Sequence, residues 1–518
     1  MAFFITKNIT LLHLCQIVCI ALLWGCSAQP ILEQAEPPVV QPSPTPPEPI
    51  SPTAVPTLAP EPTPTVEPTI PAAAVVKPSL KRGVNIAGDF EVFPRGEWGT
   101  PIEAYFFDLA AEAGFDHVRI PIRWSAHTGA APNYLIDEAF FEEVDWLLDQ
   151  AQRVGLTIVI DTHHFEELND DPLGFKDELL AIWRQVGARY AGQQATVVFE
   201  INNEPTGVFD DRPELWNQIA AEALQVIRET NPNRLAIIGP VGFNHPNRLS
   251  ELVLPTDDNL LVTVHSYDPI EFTVQGAPWF DPPPATGQVW QSAQPAINYV
   301  WQEASWDTQV TPAVNGFQLQ FERQYAAFGV QSLVSNDVAF ETATVQSDRP
   351  FEAVILCNVN ESNVIAELSA PTVNDVGDYE MSADISTCGP LGSIAIQLVS
   401  EQLVTPVLQR LDLCGSDIGC EKVIVSAEEA LNIEMSAAKA WAAGNGVDLY
   451  LGEFGVYDHP SAPVDPISRA AWIQAMRQAA EVNGIGWAYF ELSSDFGVYD
   501  HANQVWRTDM LEALFAPE

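Results

Sequence analysis

The chain has 518 residues, 47% of them hydrophobic and 18% charged, which is enough apolar material for a large folded core. Lys and Arg number 23 against 69 Asp and Glu, a formal net charge of −46. That balance excludes nucleic acid, whose phosphates need a basic face, and adsorption to anionic lipid; a neutral polymer such as a glucan carries no such penalty.

The first 26 residues read as an export signal. Lys7 precedes an apolar run from Leu11 to Trp24 that is too short to stay in a membrane. The run ends in Leu23-Trp24-Gly25-Cys26, which resembles the lipobox of bacterial lipoproteins and would make Cys26 a lipidated first residue. An ordinary signal peptide cut after Ala28 is the alternative. Residues 27–78 are a Pro/Thr/Glu-rich linker that cannot bury a core and that proline stiffens toward polyproline II. The expected product is exported, on the cell surface or secreted, a monomer that meets the membrane only through its lipid.

From Lys81 onward, short β-rich apolar runs alternate with amphipathic helical stretches. The runs cover 82–88, 117–122, 156–162, 197–203, 235–240, 261–267, 449–455 and 485–491, with helices such as 139–155 and 213–230 between them. Continuous apolar strands alternating with helices predict an α/β fold with a parallel sheet, and eight such units predict a closed (β/α)₈ TIM barrel. The barrel parts are 79–304 and 423–518. A doubly wound open sheet is the runner-up, but no Gly-rich first turn supports it.

Strands six and seven lie about 180 residues apart, far beyond an ordinary connection. Residues 268–304 read as a long aromatic loop. Within 305–422, GFQLQFE, AVILCNV, VIAELSA, YEMSADI and GSIAIQLV alternate with period two, so an all-β sandwich is expected there, inserted between strands six and seven. Four of the seven cysteines, Cys357, Cys388, Cys414 and Cys420, fall inside it. An even number in an exported chain implies disulfides; three pairings are possible, and Cys357–Cys388 with Cys414–Cys420 is favoured. No paired CxxC spacing suggests zinc, and neither metal nor cofactor is expected. The insertion reads either as a lid that shapes a cleft or as a carbohydrate-binding module.

Arg119, His163, His164, Asn203, Glu204, His265, Tyr267, Glu453 and Phe490-Glu491 all lie at C-terminal ends of the expected strands, which in a barrel converge on the active face. Glu204 after strand four and Glu453 at strand seven suit paired-carboxylate hydrolysis, in which one carboxyl donates a proton and the other attacks ionised. Arg119 is expected to keep Glu453 ionised. Asn203 can bond a sugar 2-hydroxyl. Trp279, Trp290 and Phe490 offer faces for pyranose rings, and His265 and Tyr267 could orient the carboxylates.

All of those residues but Trp290 sit in VRIPIRW, HHFEEL, FEINNEP, HSYDP-EFTVQGAPW, LGEFG and GWAYFE-SSDFGVYD, which RGVNI precedes. In these motifs the chain resembles the cellulase family of glycoside hydrolases, family 5 of clan A, from Arg82 to about residue 300 and again from 426 to the end. The resemblance implies a retaining, endo-acting hydrolase of β-1,4-glucan, with Glu204 as acid/base and Glu453 as nucleophile. The remaining strand-end residues would bind substrate. β-Mannan, xyloglucan or β-1,3-glucan are alternative substrates, and a non-catalytic carbohydrate-binding lipoprotein is the alternative from another class. Two departures bear on substrate choice. Phe490 stands where the family usually has tryptophan, and Gly88 stands where this branch commonly has asparagine near Glu91.

Overall fold

The computed structural model describes residues 78–516, apart from 97–98, 300, 334–338, 359–363 and 417. The signal segment, Cys26 and almost all of the linker lie outside the described residues. Eight strands, β1 (Arg82–Asn85), β2 (His117–Ile120), β3 (Thr157–Asp161), β4 (Val197–Glu200), β5 (Ala236–Ile238), β6 (Leu260–His265), β7 (Asp448–Glu453) and β8 (Gly486–Tyr489), form a closed parallel barrel. Closure is made by β8 against β1, with Arg82 opposite Trp487. Around it run α1 (Ala104–Ala113), α2 (Glu138–Val154), α3 (Pro172–Arg189), α4 (Pro213–Thr230), α5 (Ala427–Asn445), α6 (Pro466–Val482) and α7 (Thr508–Phe515).

The strands are apolar on both faces because one face meets the helices and the other fills the barrel. Val118, Ile120, Ile158, Ile160, Val197 and Phe199 join the large core shared with the helices. Their alternate neighbours line the interior. Val159, Val198, Leu235, Ile237, Leu261, Tyr450 and Ala488 close its lower half, with Leu80 packed beneath. One step further along the strands the same interior positions become Asn85, Arg119, Asp161, Glu200 and His265, all buried. Period-two alternation thus delivers a polar layer at the C-terminal mouth.

The strands are shorter than the sequence runs, and residues such as Ile201–Glu204 form the loop beyond β4. The fifth unit also lacks an α-helix: a 3-10 turn, Pro246–Glu251, fills the return from β5 to β6.

Between β6 and α5, two antiparallel sheets stack. The first orders Val364–Glu367, Ala353–Cys357, Ser393–Leu398, Ala327–Ser332 and Trp301–Glu303; the second includes Tyr379–Asp384, Thr342–Ser347, Val407–Gly415, Gly316–Phe321 and Thr308–Ala313. Alternating residues of both, among them Leu319, Val345, Ile355, Ile396 and Leu411, share one core separate from the barrel's. Trp301–Glu303 belongs to the first sheet although it precedes residue 305. Pro295–Ile297 pairs antiparallel with Ile424–Ser426, so entry and exit run side by side. Disulfides join Cys357 to Cys388 and Cys414 to Cys420, with Cα atoms 5.8 and 4.0 Å apart.

Candidate active site

Arg119 organises the barrel mouth. Fully buried on β2, it takes Glu200 in a fork, Nε to Oε2 at 2.7 Å and Nη2 to Oε1 at 2.9 Å. It also reaches Asp161 Oδ2 at 2.8 Å, Glu453 Oε1 at 2.7 Å, Asn203 Oδ1 at 2.8 Å and Asn85 Oδ1 at 3.0 Å. One guanidinium thus serves carboxylates from three strands. Glu200 and Asp161 were not singled out in the sequence. The available signal was an acid ending an apolar run, in VVFE and TIVID, where a buried charge requires a partner.

Glu453 faces inward because β7 bulges. Leu451 pairs with Val264, but the next partner of His265 is Glu453, so Gly452 is the extra residue. A Cβ at Gly452 would stand 2.4 Å from Thr263 Oγ1 and 2.9 Å from His265 Nε2, so only glycine fits. The bulge places Glu453 beside His265, whose Nδ1 is 2.8 Å from Glu204 Oε1 and 3.8 Å from Glu453 Oε2. Glu204 projects from the loop after β4 with φ 46°, a left-handed conformation that costs on the order of 1 kcal/mol or more for a non-glycine residue. Oxygens of Glu204 and Glu453 come within 4.8 Å of each other.

The two carboxyls differ in their donors. Glu453 receives Arg119 and the Tyr267 hydroxyl, the latter at 3.0 Å on Oε2. Glu204 is met by His265 alone among the hydrogen bonds described, and its side chain is 26% exposed against 6% for Glu453. Burial pushes both up to about 7; at Glu453 it outweighs His265 and Arg119, and at Glu204 it outweighs Arg119 and His164. Arg119, expected to keep Glu453 ionised, does favour its charged form, but burial is the larger effect on this carboxyl. Around neutrality the pair is part-protonated, and the two donors on Glu453 favour leaving the proton on Glu204. Tyr267, raised well above the phenol range by burial and then Glu453, remains a donor.

To one side lie the histidines. His163 Nδ1 bonds Asp161 Oδ2 at 2.8 Å, and its Nε2 is 3.3 Å from Asn203 Nδ2 and 3.6 Å from Glu91 Oε2. His164 Nε2 meets the same Glu91 oxygen at 3.1 Å. Burial holds His163 well below the usual imidazole range; His164 is raised, since Glu91 outweighs burial. Glu491 is also buried, and desolvation followed by Glu91 pushes its carboxyl well up. Glu91, His163 and His164 bring ligand-type atoms within 4.8 Å, as do Glu204, His265 and Glu453; in both groups these atoms already bond one another.

The aromatic expectations divide. Trp279 is 45% exposed, and Phe490 is half-buried at the mouth. Trp290 is 1% exposed and belongs to the barrel's hydrophobic core, so it offers no face to a sugar. In its place the fold brings two aromatics that the sequence reading missed. Phe496 packs edge-on to Phe490 at 5.4 Å and to Tyr267 at 6.1 Å. Tyr457 bridges Phe496 and Trp279, at 5.5 and 4.9 Å. A continuous aromatic wall therefore runs from the mouth to the exposed Trp279. At Gly88 a Cβ would lie 2.6 Å from the Thr100 carbonyl and 2.8 Å from Ile102, which leaves no room for a side chain.

Comparison with known proteins finds similarity over the same region. Residues 79–313 match the family model "Cellulase (glycosyl hydrolase family 5)". Endoglucanase H of Acetivibrio thermocellus is 35% identical over 191 residues, covering 37% of this chain and 21% of that protein. Crystal structures of Thermotoga maritima Cel5A, one in complex with cellobiose and one with mannotriose, superpose with TM-scores of 0.56 and 0.55 at 28% identity, covering 84% of this chain and 97% of theirs. The chain spans 21% to 61% of the length of the curated relatives it matches.

Proposed function

We propose that this chain, whose barrel belongs to the cellulase family (glycosyl hydrolase family 5), cuts β-1,4-glucan internally with retention of configuration. The observation that carries the reading is the carboxyl pair at the barrel mouth. Its oxygens lie within 4.8 Å, two donors stabilise the charge of Glu453, and Glu204 meets only His265 among the hydrogen bonds described. A separation of about 5 Å suits direct attack by one carboxylate; inverting enzymes need about 6.5–9.5 Å to seat a water.

In the proposed reaction Glu453 attacks the anomeric carbon while Glu204 gives its proton to the leaving glycosidic oxygen. A glycosyl ester on Glu453 results. Glu204, now ionised, takes a proton from water, which attacks the same carbon and releases Glu453. Asn203, oriented through Arg119, is assigned to the sugar 2-hydroxyl, His163, His164 and Glu91 to neighbouring hydroxyls, and the Phe490–Trp279 wall to ring stacking. Export and tethering through a lipid on Cys26 belong to the same proposal, placing the barrel at polymer outside the cell.

β-Mannan is the second reading, favoured by the mannotriose complex of the similar Thermotoga maritima enzyme. Product analysis on carboxymethyl-cellulose, mannan, xyloglucan and laminarin decides between them. Mixed oligosaccharides from carboxymethyl-cellulose with early viscosity loss support the first reading. Faster release from mannan replaces it, and no release from any of the four removes both.

A further inference from the structure

Helix α5 carries a glutamate where its periodicity calls for an aliphatic residue. Its buried face runs Ala427, Leu431, Glu434, Met435, Ala438, Ala442, and Glu434 is 2% exposed. A buried carboxyl costs several kcal/mol unless it is bonded. Ser266 Oγ stands 3.1 and 3.0 Å from the two oxygens of Glu434. Close by, His245 Nε2 meets Asp268 Oδ2 at 2.9 Å. His245, Asp268 and Glu434 bring ligand-type atoms within 4.8 Å, a spacing that could suit a cation. However, His245 Nδ1 accepts the Asn247 amide hydrogen at 3.2 Å, so the imidazole proton sits on Nε2 and is donated to Asp268. That nitrogen has no lone pair for a metal, and the cluster is a hydrogen-bonded one.

The residues it grips, Ser266 and Asp268, flank Tyr267. Ser266 also donates its backbone N–H to the Glu453 carbonyl at 3.1 Å. The Asp268 carbonyl accepts from Trp472 Nε1 at 2.9 Å. Between them, Tyr267 turns the opposite way and gives its hydroxyl to Glu453 Oε2 at 3.0 Å. Three successive side chains therefore alternate between the cluster, the nucleophile and the cluster.

We propose that Glu434, acting through Ser266 and beside the Asp268–His245 pair, is a positioning residue that holds the Tyr267 hydroxyl on the nucleophile. This rests on the assignment of Glu453 above. It gives α5 a role in the reaction, although this helix is entered directly from the inserted sandwich by Ile424–Ser426. Among the described residues, Tyr299 also faces the cluster, its hydroxyl pushed up by burial and then by Glu434 and Asp268.

The test compares Glu434→Leu and Glu434→Gln in the full chain by kcat, KM, the pH profile of kcat/KM on a soluble β-glucan, and melting temperature. Glu434→Leu is expected to lose about 10–100-fold in kcat with little change in KM, the cost of a slightly misplaced group. Its acidic limb moves to higher pH, because Glu453 without its tyrosine ionises less readily. Glu434→Gln keeps an acceptor for Ser266 and restores most of the rate with the wild-type acidic limb. Wild-type kcat and an unmoved acidic limb in Glu434→Leu overturn the proposal. So does a Glu434→Gln variant as impaired as Glu434→Leu with the same fall in melting temperature. If the wild-type chain cuts no β-glycan, the functional reading fails separately. A crystal structure of Glu434→Leu then decides the positioning role: a Tyr267 hydroxyl withdrawn from Glu453 supports it, and one still in place overturns it.

Discussion

Arg119 Nη1 lies 2.7 Å from Glu453 Oε1, yet the glutamate is pushed up to about 7, because its burial outweighs His265 and a guanidinium that Glu200 and Asp161 also share. Both members of the proposed catalytic pair are therefore expected to titrate near neutrality.

The pH profile of kcat/KM should be a narrow bell close to neutral. Protonation of Glu453 sets its acidic limb, and ionisation of Glu204 sets its basic limb. Initial rates on a soluble glucan from pH 4 to 9 check this. An acidic limb at the ordinary carboxylate value would mean that Arg119 wins over burial after all.

Glu204→Ala should cost roughly 10²–10⁴-fold in rate on substrates that need protonation of the leaving group, and Glu453→Ala at least as much. Azide should rescue the two differently. With Glu453→Ala and an activated β-glycoside, azide fills the vacated space and gives the inverted α-glycosyl azide. With Glu204→Ala it captures the glycosyl ester and gives the β-azide. Chromatography and NMR of the products distinguish them, and the opposite pattern would exchange the two roles.

Stability should fall as pH rises through the window between an unfolded carboxyl and the folded value. Glu204 is raised from 4.5 to about 7, so the folded chain binds more protons than the unfolded one between those values. The penalty is absent below the window and full above it. Glu204→Gln removes it, and its melting temperature should exceed wild type by roughly 1–4 °C at pH 8 but not at pH 4. Equal melting temperatures at both pH values would show that this carboxyl is not desolvated.

Gly88→Asn restores the residue common in the resembled branch but should not improve the enzyme. Its Cβ would meet the Thr100 carbonyl, a backbone atom, at 2.6 Å. Overpacking of this kind costs roughly 1–3 kcal/mol, and the segment carrying Glu91 would shift with it. Thermal melting beside kinetics checks the point; a variant as stable as wild type and faster would show that the loop gives way freely.

The barrel was legible because strands buried on both faces read as continuous apolar runs, and Glu204 and Glu453 were legible because they end such runs. What stayed hidden depends on closure of the barrel. That Glu200 and Asp161 share Arg119 is a relation among three strands, not among sequence neighbours. The bulge at Gly452, which turns Glu453 inward, exists only as a mismatch against β6. Trp290 and Trp279 sit in similar loop sequence, yet one enters the core and the other faces out. Glu434 lies in an Ala- and Glu-rich helix whose other acids are mostly surface charges, so its burial had no local signature. In the insertion, alternation revealed the longer strands, while the short Trp301–Glu303 fell outside the expected window.

The paired strands Pro295–Ile297 and Ile424–Ser426 bear on how the barrel assembles. Joining β6 to β7 through a slack segment of that length would carry a loop-closure cost that grows with the logarithm of its length and delay a contact the barrel needs. Once the sandwich has folded on its own core, its two ends emerge side by side, and the effective loop shrinks to a short hairpin. The order of events therefore matters: barrel closure is expected to be faster when the sandwich folds first. A sandwich slowed by reduction of its disulfides would hold Glu204 and Glu453 apart on two parts of the barrel that have not yet closed.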